Sequence, residues 1–194
     1  MSSLTLHPLP GDPLGIVGQL DLADERALSI VRGLTDEQGN WRPHPSDDSV
    51  ALSLARYLAW LRCLVPVLRD AVHGVRSTWR ARLGDVRSGW WWRVIPQVAG
   101  AVPIVRFGEG DVLRECARRP VRDLMGEILV LHGEVRRLAR EGAVRDLRTA
   151  RVPLPRVPVL RPPIDVALAL VPAMARRHLR RAERVRLHAG FPRA

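Results

Sequence analysis

There is no lysine in this chain: all 31 of its basic residues are arginine. They outnumber the acidic residues and leave a formal net charge of +11. A surplus of that size invites a nucleic-acid partner. Exclusive use of one basic residue points instead to a bias acting on the whole composition, not to a face selected for phosphate. Cysteine is nearly as scarce. Cys63 and Cys116 stand far apart without CxxC spacing, so neither a zinc ribbon nor a disulfide framework is indicated. Each lies among apolar neighbours and reads as a buried, inert thiol. Long apolar runs are missing too. The most apolar stretch, Val94–Val105, is interrupted by Pro96, Gln97 and Pro103, and falls short of the roughly 20 residues that span a bilayer. Met1–Pro10 lacks the basic start and apolar core of a secretory signal. The expectation is a cytoplasmic protein with no membrane association.

What is present suits a globular chain. Its 194 residues, 46% of them hydrophobic, are enough for one domain over residues 1–194 with a sizeable core. Asp12 before Pro13 predicts a helix start, with a capping carboxylate and a proline at the first helical position. Val17, Leu20, Ala23, Ala27, Ile30 and Leu34 then recur at three- and four-residue steps, predicting a helix over about 12–34. Gly33 and Gly39 bracket its end, and Asn40–Pro45 reads as a loop. A second helix is predicted over about 49–73, with Asp47 and Asp48 near its positive end. It carries one apolar stripe of Val50, Leu54, Leu58, Leu61 and Val65 and another of Leu52, Ala59, Cys63 and Val67, the pattern of a largely buried helix.

A third helix is predicted over about 120–141, on the stripe Val121, Leu124, Ile128, Leu131, Val135 and Leu138. A fourth covers about 164–188, stopped by Gly190. Ahead of it the prolines at 153, 155, 158, 162 and 163 force an extended connection. Four long helices with apolar sides bury them only against one another, so the fold class is all-α, a four-helix bundle. Segment 74–110 is less regular and holds Trp79, Trp90, Trp91 and Trp92. It reads as short helices and an extended strip crossing the bundle.

Asn40-Trp41-Arg42-Pro43-His44-Pro45, followed by Ser49-Val50-Ala51, resembles the loop and helix-two opening of the DinB/YfiT-like family of four-helix proteins. Arg177-His178-Leu179-Arg180, Glu183-Arg184-Val185 and Gly190-Phe191-Pro192 are similar to that family's last helix, and Val157–Pro162 to the approach to it. The family usually has a glycine where Arg161 stands. The resemblance covers the chain except for segment 74–110.

It implies a divalent metal, zinc or nickel, held by one histidine of helix two and an HxxxH pair of helix four, and in some members thiol transferase chemistry. Residues i and i+4 of a helix point the same way and grip one ion together. In the register of these motifs the helix-two histidine falls on Arg56 and the first histidine of the pair on Met174; His178 alone matches. A guanidinium has no lone pair to offer a metal, and a thioether is a poor zinc ligand. No zinc or nickel cofactor is therefore expected. Of the other histidines, His132 has Ile128 and Arg136 at four-residue spacing, which define no polar pocket. His44 lies in a loop, and His7, His73 and His188 lie at ends.

Arg56 shares its side of helix two with Leu52, Ala59, Cys63 and Val67, and a charge placed there needs a partner. Either it stands where the metal would be and binds a carboxylate or phosphate, or it reaches solvent or pairs with an internal acid such as Glu127; the second reading is preferred. His178 reads as structural, Met174 as core filler, and Pro172 as a bend ahead of the former ligand pair. The run Trp90-Trp91-Trp92 suits a stacking platform, a membrane anchor or a partner surface, with a lid over the bundle end preferred. Arg176, Arg177, Arg180, Arg181, Arg184 and Arg186 make the last helix the best nucleic-acid candidate, with a solvated face preferred. The expected function is a module binding a small anionic ligand or a protein partner, with homodimers compatible. The alternatives are a thiol transferase or hydrolase with remodelled ligands, and a basic nucleic-acid-binding accessory protein.

Overall fold

The computed structural model describes residues 12–74, 115, 117, 119–145, 147, 150–154 and 161–192. Trp90, Trp91 and Trp92, the rest of the tryptophan-rich segment after Gly74, and Cys116 lie outside them. Three of the five described helices begin where a side chain meets the unbonded amides of the first turn. In α1, Pro13–Val31, the Asp12 carboxylate accepts from Gly15 N at 2.9 Å and Pro13 opens the helix. The short α2, Asp36–Asn40, has a reciprocal cap between Thr35 and Gln38. In α3, Val50–Gly74, the Ser49 hydroxyl accepts from Leu52 N at 3.0 Å. Helices α4, Val121–Gly142, and α5, Ile164–Arg186, follow Pro120 and Pro163, whose fixed φ suits a helix start.

The four long helices thus lie close to where the sequence puts them. The first ends earlier than its apolar spacing suggests. Gly33 turns the chain at a φ of 70°, a conformation glycine adopts at little cost, and Thr35 starts a new helix. Gly39 lets α2 approach α4, since a Cβ there would lie 2.5 Å from Val121 Cγ2. The stretch before α5 is extended where described: Arg151 and Pro163 form an isolated antiparallel bridge, and Val152 N donates to Pro162 O at 2.9 Å. Both Pro66 and Pro172 are carried inside continuous helices.

Helices α1 and α3 occupy opposite corners of the bundle, and each packs against both α4 and α5. Side-chain pairs fix the directions. Arg62 with Glu127, Arg69 with Glu134 and His73 with Glu141 advance together along α3 and α4, so these two run parallel. Gln19 with Arg176 and Arg26 with Glu183 make α1 and α5 parallel as well. Asp48 with Arg181 and Tyr57 with Val171 set α3 antiparallel to α5. The order is up, down, down, up. Parallel neighbours cannot be joined by a tight turn, which accounts for the long connection between α3 and α4.

The first stripe of α3 is sealed, with Val50, Leu54, Leu58, Leu61 and Val65 all fully buried. By length and composition α3 is also apolar enough to cross a membrane, but two thirds of that stretch is covered by the bundle. On the second stripe Ala59 is buried while Leu52, Cys63 and Val67 are partly exposed. The expected burial of the Cys63 thiol is therefore corrected: it faces the rim of α3, not the core.

The arginines of α5 also depart from the solvated face expected of them. Arg186 donates to the carbonyls of Ser29, Ile30 and Arg32, which α1 leaves open at its end. Arg145 does the same for Val72 O near the end of α3, at 2.5 Å. Arg176 is partly buried on Gln19, and burial, together with the charge of Arg180, lowers its guanidinium to about 10. These residues hold the bundle together. Arg186→Ala is expected to cost about 1–3 kcal/mol of unfolding free energy, because it orphans three carbonyls. Exposed Arg184→Ala is expected to stay within about 0.5 kcal/mol in the same denaturant titration.

Candidate functional site

Three of the long helices contribute to one buried polar chain. Asp24 of α1 accepts from His132 Nδ1 of α4 at 2.5 Å, and His132 Nε2 meets the Tyr57 hydroxyl of α3 at 2.6 Å. Arg136, one turn beyond His132, donates to the other Asp24 oxygen, and its Nε lies 2.8 Å from Asp21 Oδ1. Tyr57 and His132 are each 1% exposed. Burial opposes the charge of Asp24, but His132 and Arg136 prevail and hold its carboxyl below the ordinary range. Burial, and then the Asp24 charge, push the Tyr57 phenol well above its ordinary value, so it stays protonated.

An ionised Asp24 accepts only, so the proton of Nδ1 belongs to the histidine. Nε2 is then free to accept from Tyr57. Both ring nitrogens, both Asp24 oxygens and the phenol are occupied. The polar chain pins three helices in register. The sequence reading of His132, with no polar pocket around it, is corrected here: Arg136 is its neighbour, and the missing carboxylate comes from α1. A histidine inside the apolar stripe of α4 was the available signal, but the acid that satisfies it lies 108 residues away in the chain.

Beside this satisfied chain lies an unsatisfied one. Among the described residues, four buried side-chain polar atoms have no hydrogen-bond partner: Ser53 Oγ, Arg56 Nε, His178 Nδ1 and Arg136 Nε. The last at least faces the Asp21 carboxylate. The other three belong to one seam. Ser53 and Arg56 lie one turn apart on α3, and His178 of α5 packs its ring on Tyr57 at a centroid distance of 5.7 Å. His178 is 3% exposed, and burial foremost, then the charges of Arg181, Arg177 and Arg56, lower its imidazole to about 3. A backbone hydrogen bond at Ser53 opposes that shift. A bond that favours the protonated ring must accept, so the Ser53 carbonyl takes it, and with Nδ1 unpartnered the donor is Nε2. Nδ1 therefore presents a lone pair.

Arg56 and His178, two of the sequence-selected residues, are thus brought together, and buried Met174 lies one turn before His178 on α5. The partner expected for Arg56 is corrected. Glu127 is taken by Arg62 and Arg119, which hold it down at about 2. Arg56 instead sets a terminal nitrogen 3.2 Å from Asp48, whose other oxygen lies 3.8 Å from Arg181. The set does not fit a zinc or nickel ion. It offers one imidazole lone pair and a thioether beside a permanent cation, and no metal-binding group of histidines, cysteines and carboxylates occurs among the described residues. It fits an anion better.

The loop after α1 closes over the end of α5. Trp41 meets Phe191 edge-on at 5.5 Å and His188 at 5.6 Å, and Gln38 Nε2 donates to Pro192 O at 3.0 Å. Two of the motifs singled out in the sequence, far apart in the chain, meet there.

Tyr57→Phe is expected to cost about 1–3 kcal/mol by leaving His132 Nε2 buried without a partner, read by chemical denaturation. The pH dependence of stability has a definite sign. The unfolded chain protonates the His178 ring near its ordinary 6.5, the folded protein only near about 3. The unfolded state binds the extra proton in between, so stability falls as pH drops through that window, by up to about 1.4 kcal/mol per pH unit. Between pH 6.5 and about 5.5, above the range where the lowered carboxyls of Asp24, Glu127, Glu134 and Glu141 titrate in the unfolded chain, His178→Phe is expected to remove that slope.

Compared with family models, curated proteins and solved structures, the chain matches none of them.

Proposed function

We propose that the protein is a cytoplasmic DinB/YfiT-like four-helix bundle that binds a small anionic ligand between α3 and α5 in place of the family's metal. The carrying observation is the presence of three buried, unpartnered polar atoms, Ser53 Oγ and Arg56 Nε of α3 and His178 Nδ1 of α5, on two helices that pack against each other. A buried polar atom without a partner is costly and rare, and a ligand supplies what this seam lacks. The permanent charge of Arg56 selects an anion, either a carboxylate or a phosphate. The family resemblance is supported by the contact of Trp41 with Phe191, which joins its two end motifs.

Binding is favoured over turnover. A histidine lowered to about 3 carries no proton to give at neutral pH and gains little by taking one. The polar chain through His132 is saturated. Nucleic-acid binding is disfavoured because Arg176 and Arg186 of α5 are spent on α1.

Calorimetric titration of the wild type and Arg56→Ala with acetate and with inorganic phosphate tests the reading. The wild type is expected to bind at least one of them, and the variant, folded by circular dichroism, to bind it at least about tenfold more weakly. Equal affinities would overturn the proposal. So would stoichiometric zinc or nickel in protein purified without a histidine tag, which would point to a remodelled enzyme.

A further inference from the structure

We infer that the ligand of the α3–α5 seam is a short carboxylate bearing a hydroxyl on the adjacent carbon, its carboxylate held by Arg56 and Ser53 and its hydroxyl donating to His178 Nδ1. This rests on the anion-binding reading above and specifies its ligand. The three unpartnered atoms are not alike. Arg56 Nε–H only donates, the Ser53 hydroxyl donates or accepts, and His178 Nδ1 only accepts. A plain carboxylate satisfies the first two and leaves the third unpaired, facing an acceptor with an acceptor. The ligand must therefore bring a donor as well as a charge.

Two further observations narrow the class. The group already resting against Arg56 is a carboxylate, that of Asp48, which stands 3.2 Å from Arg56 and 3.8 Å from Arg181. The contact with Arg181 is long for an ion pair, and an entering carboxylate exchanges with Asp48 on equal chemical terms. The donor, for its part, must be uncharged. Arg181, Arg177 and Arg56 all bear on His178, and a cationic ammonium beside it would be repelled by these charges, which add to burial in keeping its ring neutral. A hydroxyl meets the requirement, and an amino group does not.

The test compares small acids by calorimetry on the folded full chain: acetate, glycolate, methoxyacetate and glycine. Glycolate is expected to bind about tenfold tighter than acetate, because it pairs a buried acceptor that acetate leaves bare. Methoxyacetate, which has the oxygen but no proton, is expected to match acetate, and glycine to bind more weakly than glycolate. In His178→Phe the preference for glycolate is expected to vanish while acetate binding remains. The wild-type series decides the matter even if that variant does not fold. Equal binding of glycolate and acetate, or of glycolate and methoxyacetate, overturns this inference and leaves the anion site standing. Failure of every acid to bind overturns this inference, and the anion site with it when inorganic phosphate also fails to bind.

Discussion

A polar atom removed from water must find a partner inside the protein, and the interior of this bundle is organised by where that demand is met. On one side of Tyr57 it is met completely. Both Asp24 oxygens, both His132 nitrogens and the phenol each have a partner, and Arg136 neutralises the charge at the end of the chain. Losing any one member strands another in a place water does not reach. On the other side of the same ring, His178 stacks with its Nδ1 bare, and Ser53 and Arg56 add two more unpaired atoms. Tyr57 thus touches both a closed polar network, at its hydroxyl, and a ring stacked on it whose Nδ1 has no partner.

The arginine-only composition looks different once the fold is known. The basic residues of α5 serve as long, rigid donors that reach across to neighbouring helices. Arg186 closes the carboxyl end of α1, Arg176 ties α5 to Gln19, and Arg181 approaches Asp48. On α3, Arg62 and Arg69 grip Glu127 and Glu134 with two hydrogen bonds each, which a lysine ammonium does not do in the same planar way. A bias in composition and a structural use are compatible: where arginine is the available cation, the fold employs its fork.

Helix positions were legible in the sequence because they are local. Asp12-Pro13, the spacing of apolar residues, and the proline-rich approach to α5 place the four long helices within a few residues. The early end of α1 was less legible, since an apolar Leu34 continues the stripe past Gly33 while the backbone turns there. Partners across the bundle were not legible at all. Arg56 reads in the sequence as a charge needing company, yet the acid it suggests is Glu127 on the facing helix, while Asp48 reads only as a charge at the start of α3. Only the parallel register of α3 and α4 assigns Glu127 to Arg62. His132 failed for the same reason: the carboxylate that completes it belongs to a helix that no spacing rule connects to α4. The choice of Arg56, Met174 and His178 came through the family resemblance, and the structure adds the buried, unpartnered atoms of Arg56 and His178.

The state of one ring decides most between a closed core and an open site. Nitrogen NMR of the His178 imidazole reads which nitrogen carries the proton and whether the other is bonded. The expected spectrum at pH 5 is a neutral ring protonated on Nε2, with an unbonded Nδ1 whose resonance shifts when glycolate is added. An imidazolium at that pH, or a proton on Nδ1 with no response to the acid, would contradict a lone pair waiting for a donor.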